Sequence, residues 1–329
     1  MTPQTAKPPF QILLLGCGQI GQLHAARLAA DPRARIVALV DPNREAAAAL
    51  AATYAPEAIV ATDVEAALGS GSVDGAVICT PTGQHFSQVR EFRSRGIAVS
   101  CEKPLADSRE RIVDLIADAQ HGPLLTIAYQ RRYSSVFRTA RREIQSGRFG
   151  RVRSVVVYNC ERWAQTISGT WRNDPRQNPG GYLGDAGSHK VDMVFFVTGL
   201  PPREVHAQSQ KRSWNVDVVT QITAVIGDDV PLTMAFIGDA HHYYEEFRIH
   251  CELGDLIVRE NTLEFAQENR RESILDLERE SNPDEAFLDY LSGTAENTAP
   301  ADIALPVWDF TTAALESANT RKIVCLSGR

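Results

Sequence analysis

The sequence predicts two domains of different construction, an N-terminal doubly wound parallel α/β sheet and a C-terminal α+β domain. The chain has 329 residues, about twice the length of a typical domain. Its first third alternates wholly apolar, β-branched runs with alanine-rich stretches, a pattern typical of a parallel sheet covered by helices on both faces. Beyond Tyr129, longer strand-like runs follow one another directly, which indicates a second domain built on consecutive strands.

The first domain, predicted over residues 1–126, contains a series of short buried strands. These strands are predicted at 11–16, 36–40, 76–80, 97–101 and 124–128. Helices are predicted near 19–30, 43–54, 83–95 and 107–119. Because parallel strands need crossover connections, this order predicts one parallel sheet with helices on both sides.

The second domain, predicted over residues 127–329, begins with a helix at 135–146 that ends at Gly147. Its strands are predicted at 152–160, 204–209, 216–226, 231–237, 246–251 and 255–259. Turns at 227–229 and 253–255 indicate hairpins between some of them. The charged stretch 267–280 is predicted to be a solvated face, and the last helix is expected to pack back on the first domain.

Composition argues against several classes of partner. Lys and Arg total 34 against 41 Asp and Glu, a net charge of -7 that gives the chain no general attraction to nucleic acid. No run approaches the ~20 apolar residues of a membrane span, and residues 1–10 do not resemble a signal peptide. The six cysteines are scattered without a C-x-x-C pair, so neither a metal site nor a disulfide framework is expected. We therefore expect a soluble, cytoplasmic protein.

A glycine-rich segment, Gly16-Cys17-Gly18-Gln19-Ile20-Gly21, follows the first predicted strand and opens the first predicted helix. Gly16 permits a tight turn, Gly18 lets the backbone approach a pyrophosphate, and Gly21 lets helix and strand pack closely. The N–H groups of the helix N-terminus, with Gln19 and Ile20, would then bind the phosphates. The alternative is a glycine turn without a ligand.

An acidic residue at the end of the second predicted strand bears on the choice of dinucleotide. Asp41 lies 20 residues beyond Gly21, where a carboxylate accepts hydrogen bonds from the ribose hydroxyls of NAD. It would repel the 2′-phosphate of NADP, although Arg44 could offset that repulsion. NAD is therefore the predicted cofactor, with NADP left open. The alternative is that Asp41 starts the next helix.

Two more motifs follow later strands, at the carboxyl ends where open α/β sheets bind ligands. Thr80-Pro81-Thr82 and His85 are predicted to contact the cofactor, the alternative being a helix start with Thr82 as its N-cap. Glu102-Lys103-Pro104 follow the next strand. There the Lys103 ammonium can bind a substrate hydroxyl or carbonyl oxygen, and Pro104 could restrict the backbone through a cis bond. The alternative is a surface lysine beside a turn.

The second domain carries residue types suited to acid–base chemistry. A helix predicted from Asp185 to Val197 and ended by Gly199 places Asp185, His189 and Asp192 at i, i+4 and i+7 on one face. An imidazole beside a carboxylate can act as a general base. The alternative is a helix cap at Asp185 and a core histidine at His189.

Together these motifs resemble the Gfo/Idh/MocA family, which includes glucose–fructose oxidoreductase and inositol dehydrogenase. The resemblance covers nearly the whole chain and extends to Tyr129-Gln130-Arg131-Arg132-Tyr133 and Ala304-Leu305-Pro306-Val307. It implies an N-terminal Rossmann domain and a C-terminal domain with a large open sheet. Because the exposed face of that sheet commonly makes family members dimers or tetramers, a homodimer or homotetramer is expected.

The resemblance also implies a reaction, the NAD(P)-dependent oxidation of a hydroxyl carbon in a sugar, polyol or related small polar metabolite. Lys103 corresponds to the family's catalytic or substrate-orienting lysine. Asp185 and His189 correspond to its Asp/His pair, with His189 as the proton acceptor. Further substrate contacts are predicted from loops expected to border the interdomain cleft: Arg132, Arg172, Asn173 and Tyr182.

The chain departs from the family pattern at two positions. Thr82 stands where Asn is frequent, which alters the expected cofactor contact. Lys190 stands where many members have an acid, which puts a positive charge near the substrate side and could lower the pKa of His189 or favour an anionic substrate.

Two other functions stay open. Some relatives hold NAD tightly and use oxidation as a transient step in hydrolysis, elimination or epimerisation. A dinucleotide-sensing regulator would be expected to have a damaged catalytic set, yet this chain keeps Lys103, Asp185 and His189.

Overall fold

The computed structural model describes residues 9–69 and 71–326. The segment in which we predicted no signal peptide, residues 1–10, lies largely outside the described residues. The chain forms two compact units, the first comprising Met1–Gln130 and Ser281–Leu305 and the second Arg131–Glu280 and Pro306–Arg329. The first unit thus includes a later segment that the predicted division near residue 126 does not contain.

Unit 1 is built around a six-stranded parallel sheet with the order β3-β2-β1-β4-β5-β6. Its strands are Phe10–Leu15 (β1), Ala34–Val40 (β2), Ile59–Ala61 (β3), Gly75–Ile78 (β4), Ala98–Cys101 (β5) and Leu125–Ile127 (β6). This is the strand order of the Rossmann fold, which confirms the predicted fold class. The short strand β3 is an addition to the predicted set.

Several helices of unit 1 start where the sequence supplies capping side chains. They are Gln19–Ala30 (α1), Arg44–Tyr54 (α2), Val64–Leu68 (α3), His85–Ser94 (α4), Arg109–Ala119 (α5) and, much later in the chain, Pro283–Ser292 (α9). Asn43, Ser108 and Asn282 cap α2, α5 and α9 by accepting backbone N–H bonds. Helix α9 joins the core of the unit, because Phe287 packs with Ile12 and Leu39.

Unit 2 contains a nine-stranded sheet with the order β14-β13-β12-β11-β7-β10-β9-β8-β15. Its strands are Val152–Cys160 (β7), Pro202–Gln210 (β8), Val219–Ile226 (β9), Val230–Ile237 (β10), Tyr244–Cys251 (β11), Asp255–Arg259 (β12), Thr262–Gln267 (β13), Arg270–Ser273 (β14) and Val324–Cys325 (β15). Only the β7–β10 pair is parallel among the pairs described. The mainly antiparallel sheet confirms the second half of the predicted fold class.

Four α-helices of the described residues lie wholly or mostly in unit 2, and two of them, one early and one central, contact strands of this second sheet. The four helices are Ser135–Gln145 (α6), Trp163–Thr166 (α7), Ser188–Thr198 (α8) and Ala304–Thr320 (α10). Phe137 of α6 packs edge-on against Phe247 of β11, and Phe195 of α8 against Phe310 of α10. Within residues 9–69 and 71–326, no helix has the length and apolarity that crossing a membrane requires.

Candidate active site

Two glycines of the first motif are required by close packing, and a third leaves space open. Gly16 has φ +96°, and a Cβ there would lie 2.7 Å from the carbonyl carbon of Cys79. A Cβ on Gly21 would lie 2.0 Å from the carbonyl oxygen of Gly16. At Gly18, by contrast, a Cβ would meet no described atom within 4 Å. The turn therefore brings strand and helix together and keeps the helix N-terminus accessible.

The groups around this turn fit a dinucleotide. Gly18 is the N-cap of α1 and supplies no side-chain bond to the first-turn N–H groups, which can therefore receive phosphate oxygens. Asp41 follows β2 and accepts hydrogen bonds at 2.8 Å from the backbone N–H of Cys17 and of Asn43. The carboxylate thus anchors the glycine turn, and each oxygen keeps a second lone pair that a ribose hydroxyl can use.

His85 connects the two later motifs of unit 1. Its Nδ1 lies 2.7 Å from the carbonyl oxygen of Pro104 and its Nε2 lies 2.8 Å from that of Thr80. Burial lowers the pKa of His85, whereas donation to both carbonyls, which requires the protonated ring, opposes that shift. The ring is 1% exposed, so this geometry makes His85 a brace between the two strand ends. Its predicted contact with cofactor stays a prediction.

The N-cap alternative for Thr82 is wrong. A single 3-10 turn spans Thr82–Gln84, with Pro81 before it and no capping bond from a side chain. Helix α4 then begins at His85. Thr80 donates its hydroxyl to Gln88 at 2.5 Å, which fixes the side chain at the end of β4.

Lys103 lies two residues after the end of β5, is partly exposed and has a cis peptide bond to Pro104. Its backbone N–H donates to Oε2 of Glu102 at 3.2 Å. The other carboxylate oxygen of Glu102 lies 3.2 Å from Nε2 of His24, a buried residue of α1. His24 is not among the site residues predicted from the sequence, although it stands three residues beyond Gly21, the last glycine of the fingerprint.

In unit 2, Asp185 lies in a π-helical turn, Leu183–Gly187, that precedes α8. The predicted continuous helix from Asp185 is therefore corrected to a π turn followed by an α-helix, a feature frequent at functional sites. Oδ2 of Asp185 accepts hydrogen bonds from Nε1 of Trp163 at 3.0 Å and from Nε of Arg172 at 2.9 Å. These two donors orient the carboxylate. His189 follows in the first turn of α8 and is partly exposed.

Asp192, predicted on the same stripe as Asp185, has a different environment. It is fully buried, and its carboxylate accepts hydrogen bonds from Nε and Nη2 of Arg132 at 2.8 and 2.6 Å. This two-pronged geometry is the strong form of an arginine–carboxylate pair. Arg132 also stacks 4.9 Å from the ring centre of Phe196, so it has a structural role beside its predicted substrate contact.

The other predicted substrate contacts also have protein partners. Arg172 binds Asp185, and Asn173 Oδ1 accepts the N–H of Asn215 at 3.1 Å. Tyr182 is fully buried, and its hydroxyl contacts Oδ1 of Asn159 and Oε1 of Glu161. Their contacts with a substrate stay predictions.

Lys190 is buried close to the Glu161 carboxylate, which also contacts Tyr182. Its ammonium lies 3.5 Å from Oε1 of Glu161 and 3.4 Å from the carbonyl oxygen of Ala186. Burial and the neighbouring charge of Arg131 lower the pKa of Lys190, and Glu161 opposes them. The positive charge that we expected near His189 is therefore partly balanced by an adjacent acid.

Replacing Tyr182 with phenylalanine should lower the free energy of unfolding by about 1–3 kcal/mol, because the change removes the partner of the buried Asn159. Burial and then Glu161 raise the pKa of Tyr182, so its hydroxyl remains a donor across the accessible pH range. Urea unfolding measures the effect. Tyr54→Phe on α2 is the matched control, expected within about 0.5 kcal/mol of the parent. Equal stability of both variants would contradict the prediction.

A metal site is not apparent, since residues 9–69 and 71–326 contain no group of three or more His, Cys, Asp or Glu side chains arranged to hold an ion.

The fold and the glycine turn define a dinucleotide-binding enzyme class. Residues 10–128 match the description "Oxidoreductase family, NAD-binding Rossmann fold", and residues 137–257 match the "GFO/IDH/MocA C-terminal domain". The chain belongs to the Gfo/Idh/MocA oxidoreductase family and carries its NAD-binding domain.

Some relatives of this chain are named as dehydrogenases of a polyol or a glucoside. Inositol 2-dehydrogenase of Rhizobium meliloti (strain 1021) is 32% identical over 197 residues, which cover 59% of this chain and 56% of that protein. The chain spans less than two thirds of the length of curated relatives that it matches, such as this one and the rhizopine catabolism protein MocA of Rhizobium meliloti.

Solved structures share the whole fold at low sequence identity. The aldose-aldose oxidoreductase from Caulobacter crescentus has a TM-score of 0.84 at 20% identity, with 97% of this chain and 100% of that chain covered. GenD2 from gentamicin A biosynthesis, solved in complex with NAD, has a TM-score of 0.83 at 21% identity over 100% of both chains. At these identities the likeness shows the fold.

Proposed function

We propose that this protein is an NAD-dependent dehydrogenase that oxidises a hydroxyl-bearing carbon of a sugar, polyol or related small polar metabolite. The observation that carries the proposal is the glycine turn, with open space at Gly18 and the Asp41 carboxylate anchored beside it, within a family of NAD-binding oxidoreductases. Relatives named inositol 2-dehydrogenase and D-glucoside 3-dehydrogenase support the substrate class. Asp41 favours NAD over NADP.

Three residues are proposed to act in the reaction. NAD, when bound, supplies the hydride acceptor. Lys103 binds and polarises the reacting oxygen, and His189 accepts the hydroxyl proton. Asp185 supports the imidazolium that results, with its own carboxylate oriented by Arg172 and Trp163. We further propose a homodimer or homotetramer located in the cytoplasm, on the basis of the family resemblance and the composition.

Lys103→Ala and His189→Ala should each lower kcat/KM by roughly 10²- to 10⁴-fold, the usual contribution of a positioned acid–base group. Formation of NADH would be followed by absorbance, with NAD or NADP, against a panel of aldoses, inositols, sugar acids and short polyols. Lys211→Ala is the control, because Lys211 is an exposed lysine of unit 2. Full activity of His189→Ala on a substrate that the parent oxidises would refute its role.

The same screen separates the alternatives. Substrate consumption without net NADH, in protein that purifies with bound NAD, would favour a transient oxidation within hydrolysis, elimination or epimerisation. Tight NAD binding with no turnover across the panel would favour a sensor. Absence of binding of either dinucleotide would refute the proposed function.

A further inference from the structure

A buried cluster of charged groups lies behind the Glu102-Lys103-Pro104 segment of unit 1, and the proposed reaction assigns it no role. Its centre is His24 of α1, which is 1% exposed. Nδ1 of His24 lies 2.6 Å from Oδ1 of Asp284, in the first turn of α9. Nε2 lies 3.2 Å from Oε1 of Glu102, directly after β5. The ring therefore joins the cofactor-binding helix, a distant helix and the lysine-bearing segment.

The contacts of His24 determine its charge. Both ring nitrogens face carboxylate oxygens, which are acceptors when ionised, so both must carry protons for the two bonds to form. The other groups that face the cluster are Cys79, after β4, and Arg27 of α1, whose Nη1 lies 3.6 Å from Oδ2 of Asp284. Burial alone would lower the pKa of His24, but the charge and the hydrogen bond of the Asp284 carboxylate raise it above its usual range. Two cations thus balance two carboxylates.

Glu102 transmits this arrangement to Lys103. One of its carboxylate oxygens contacts the His24 imidazole, and the other accepts the backbone N–H of Lys103 at 3.2 Å. The carboxylate is held at both ends, and its side chain is 19% exposed. A change in the charge or the bonding of His24 would therefore move the Glu102 carboxylate, and with it the backbone of Lys103.

We propose that His24 is a positioning residue for Lys103, acting through Glu102 to set the direction in which the lysine side chain projects. The use of Lys103 in a reaction rests on the proposed function, whereas the geometry of the cluster does not. Misplacement of a reacting group by about 1 Å can cost on the order of 100-fold in rate, so a residue without contact to substrate can govern turnover in this way.

A spectroscopic test needs no substrate. The chain has five lysines: Lys7, Lys103, Lys190, Lys211 and Lys322. Reductive methylation with ¹³C-formaldehyde preserves the lysine charge and gives a resolved NMR signal for each modified amine, and Lys103→Ala assigns the relevant one. His24→Gln and Glu102→Gln should both move the Lys103 signal and leave those of Lys211 and Lys322 in place. His250→Gln is the matched control, since His250 is paired with Asp255 at 3.1 Å in unit 2.

An unmoved Lys103 signal in a folded His24→Gln protein would overturn the proposal. If His24→Gln does not fold, Glu102→Gln decides, because the proposal requires that loss of this carboxylate alone moves the signal. A shift of the Lys103 signal as large in His250→Gln as in His24→Gln would also overturn the proposal, because it would show that the signal responds to any loss of stability.

Stability should depend on pH with a definite sign. A histidine whose pKa is raised in the folded state contributes its full stabilisation below its unfolded pKa and loses it as the pH rises through the folded pKa. The stability difference between the parent and His24→Gln should therefore shrink as the solution is made alkaline. A stability difference that grows with pH would contradict a protonated His24 between Asp284 and Glu102.

A double-mutant cycle provides the functional readout. His24→Gln should lower kcat by up to about 100-fold in the parent and have no further effect in Lys103→Ala. Equal losses in both backgrounds, or a loss confined to NAD affinity measured by NADH fluorescence, would show that His24 acts through α1 instead. Absence of a substrate would count against the proposed function alone, because the NMR shift decides the inference separately.

Discussion

Replacing Gly21 with alanine should eliminate measurable NAD binding and lower the free energy of unfolding by about 3 kcal/mol. The new Cβ would lie 2.0 Å from the carbonyl oxygen of Gly16, a backbone atom that cannot rotate away. Relief requires α1 to move from β1, and overpacking of this kind typically costs about 1–3 kcal/mol or more. Thermal unfolding and quenching of protein fluorescence by NADH measure the two effects.

Gly18→Ala is the matched control, because it separates binding from stability. Its Cβ would enter space that holds no described atom within 4 Å, so the free energy of unfolding should change by less than about 1 kcal/mol. Affinity for NAD should nevertheless fall, since this is where the backbone must approach the pyrophosphate. Normal NAD binding by Gly21→Ala, or equal destabilisation by both variants, would contradict the packing argument.

Asp192→Ala should destabilise the protein by about 3–5 kcal/mol, the usual cost of leaving a buried charge without its partner. Asp192 is 0% exposed and Arg132 is 7% exposed, so water cannot replace the lost carboxylate without opening the core. Urea unfolding measures the change. Glu57→Ala, which removes an exposed pair with Arg35, is expected to cost less than about 1 kcal/mol.

A double variant, Arg132→Met with Asp192→Leu, tests the cause of that loss. Because replacement of a buried ion pair by apolar residues of similar volume is often neutral, most of the lost stability should return. A double variant as unstable as Asp192→Ala would show that the pair contributes by more than mutual charge neutralisation.

Local pattern predicted most of the secondary structure. The apolar runs at β1, β2 and β7 and the helix at α6 were predicted within two residues of their ends, because burial and capping act over short stretches of chain. The strands β3, β13 and β15 and the edge strand β14 were missed. The exposure of β14 throughout explains that miss, since a solvated edge strand has no buried face to give an alternating pattern.

The candidate site divides in the same way. The sequence by itself determined the doubly wound parallel sheet, the glycine turn and the placement of Asp41 and Lys103 after strands, because each follows from neighbouring residues and from chain direction. Only the tertiary structure decided which charged groups meet. Asp284 lies 260 residues from His24, and Asp192 lies 60 residues from Arg132. Such pairs depend on how helices pack over a sheet, and a buried carboxylate looks in sequence like any exposed one.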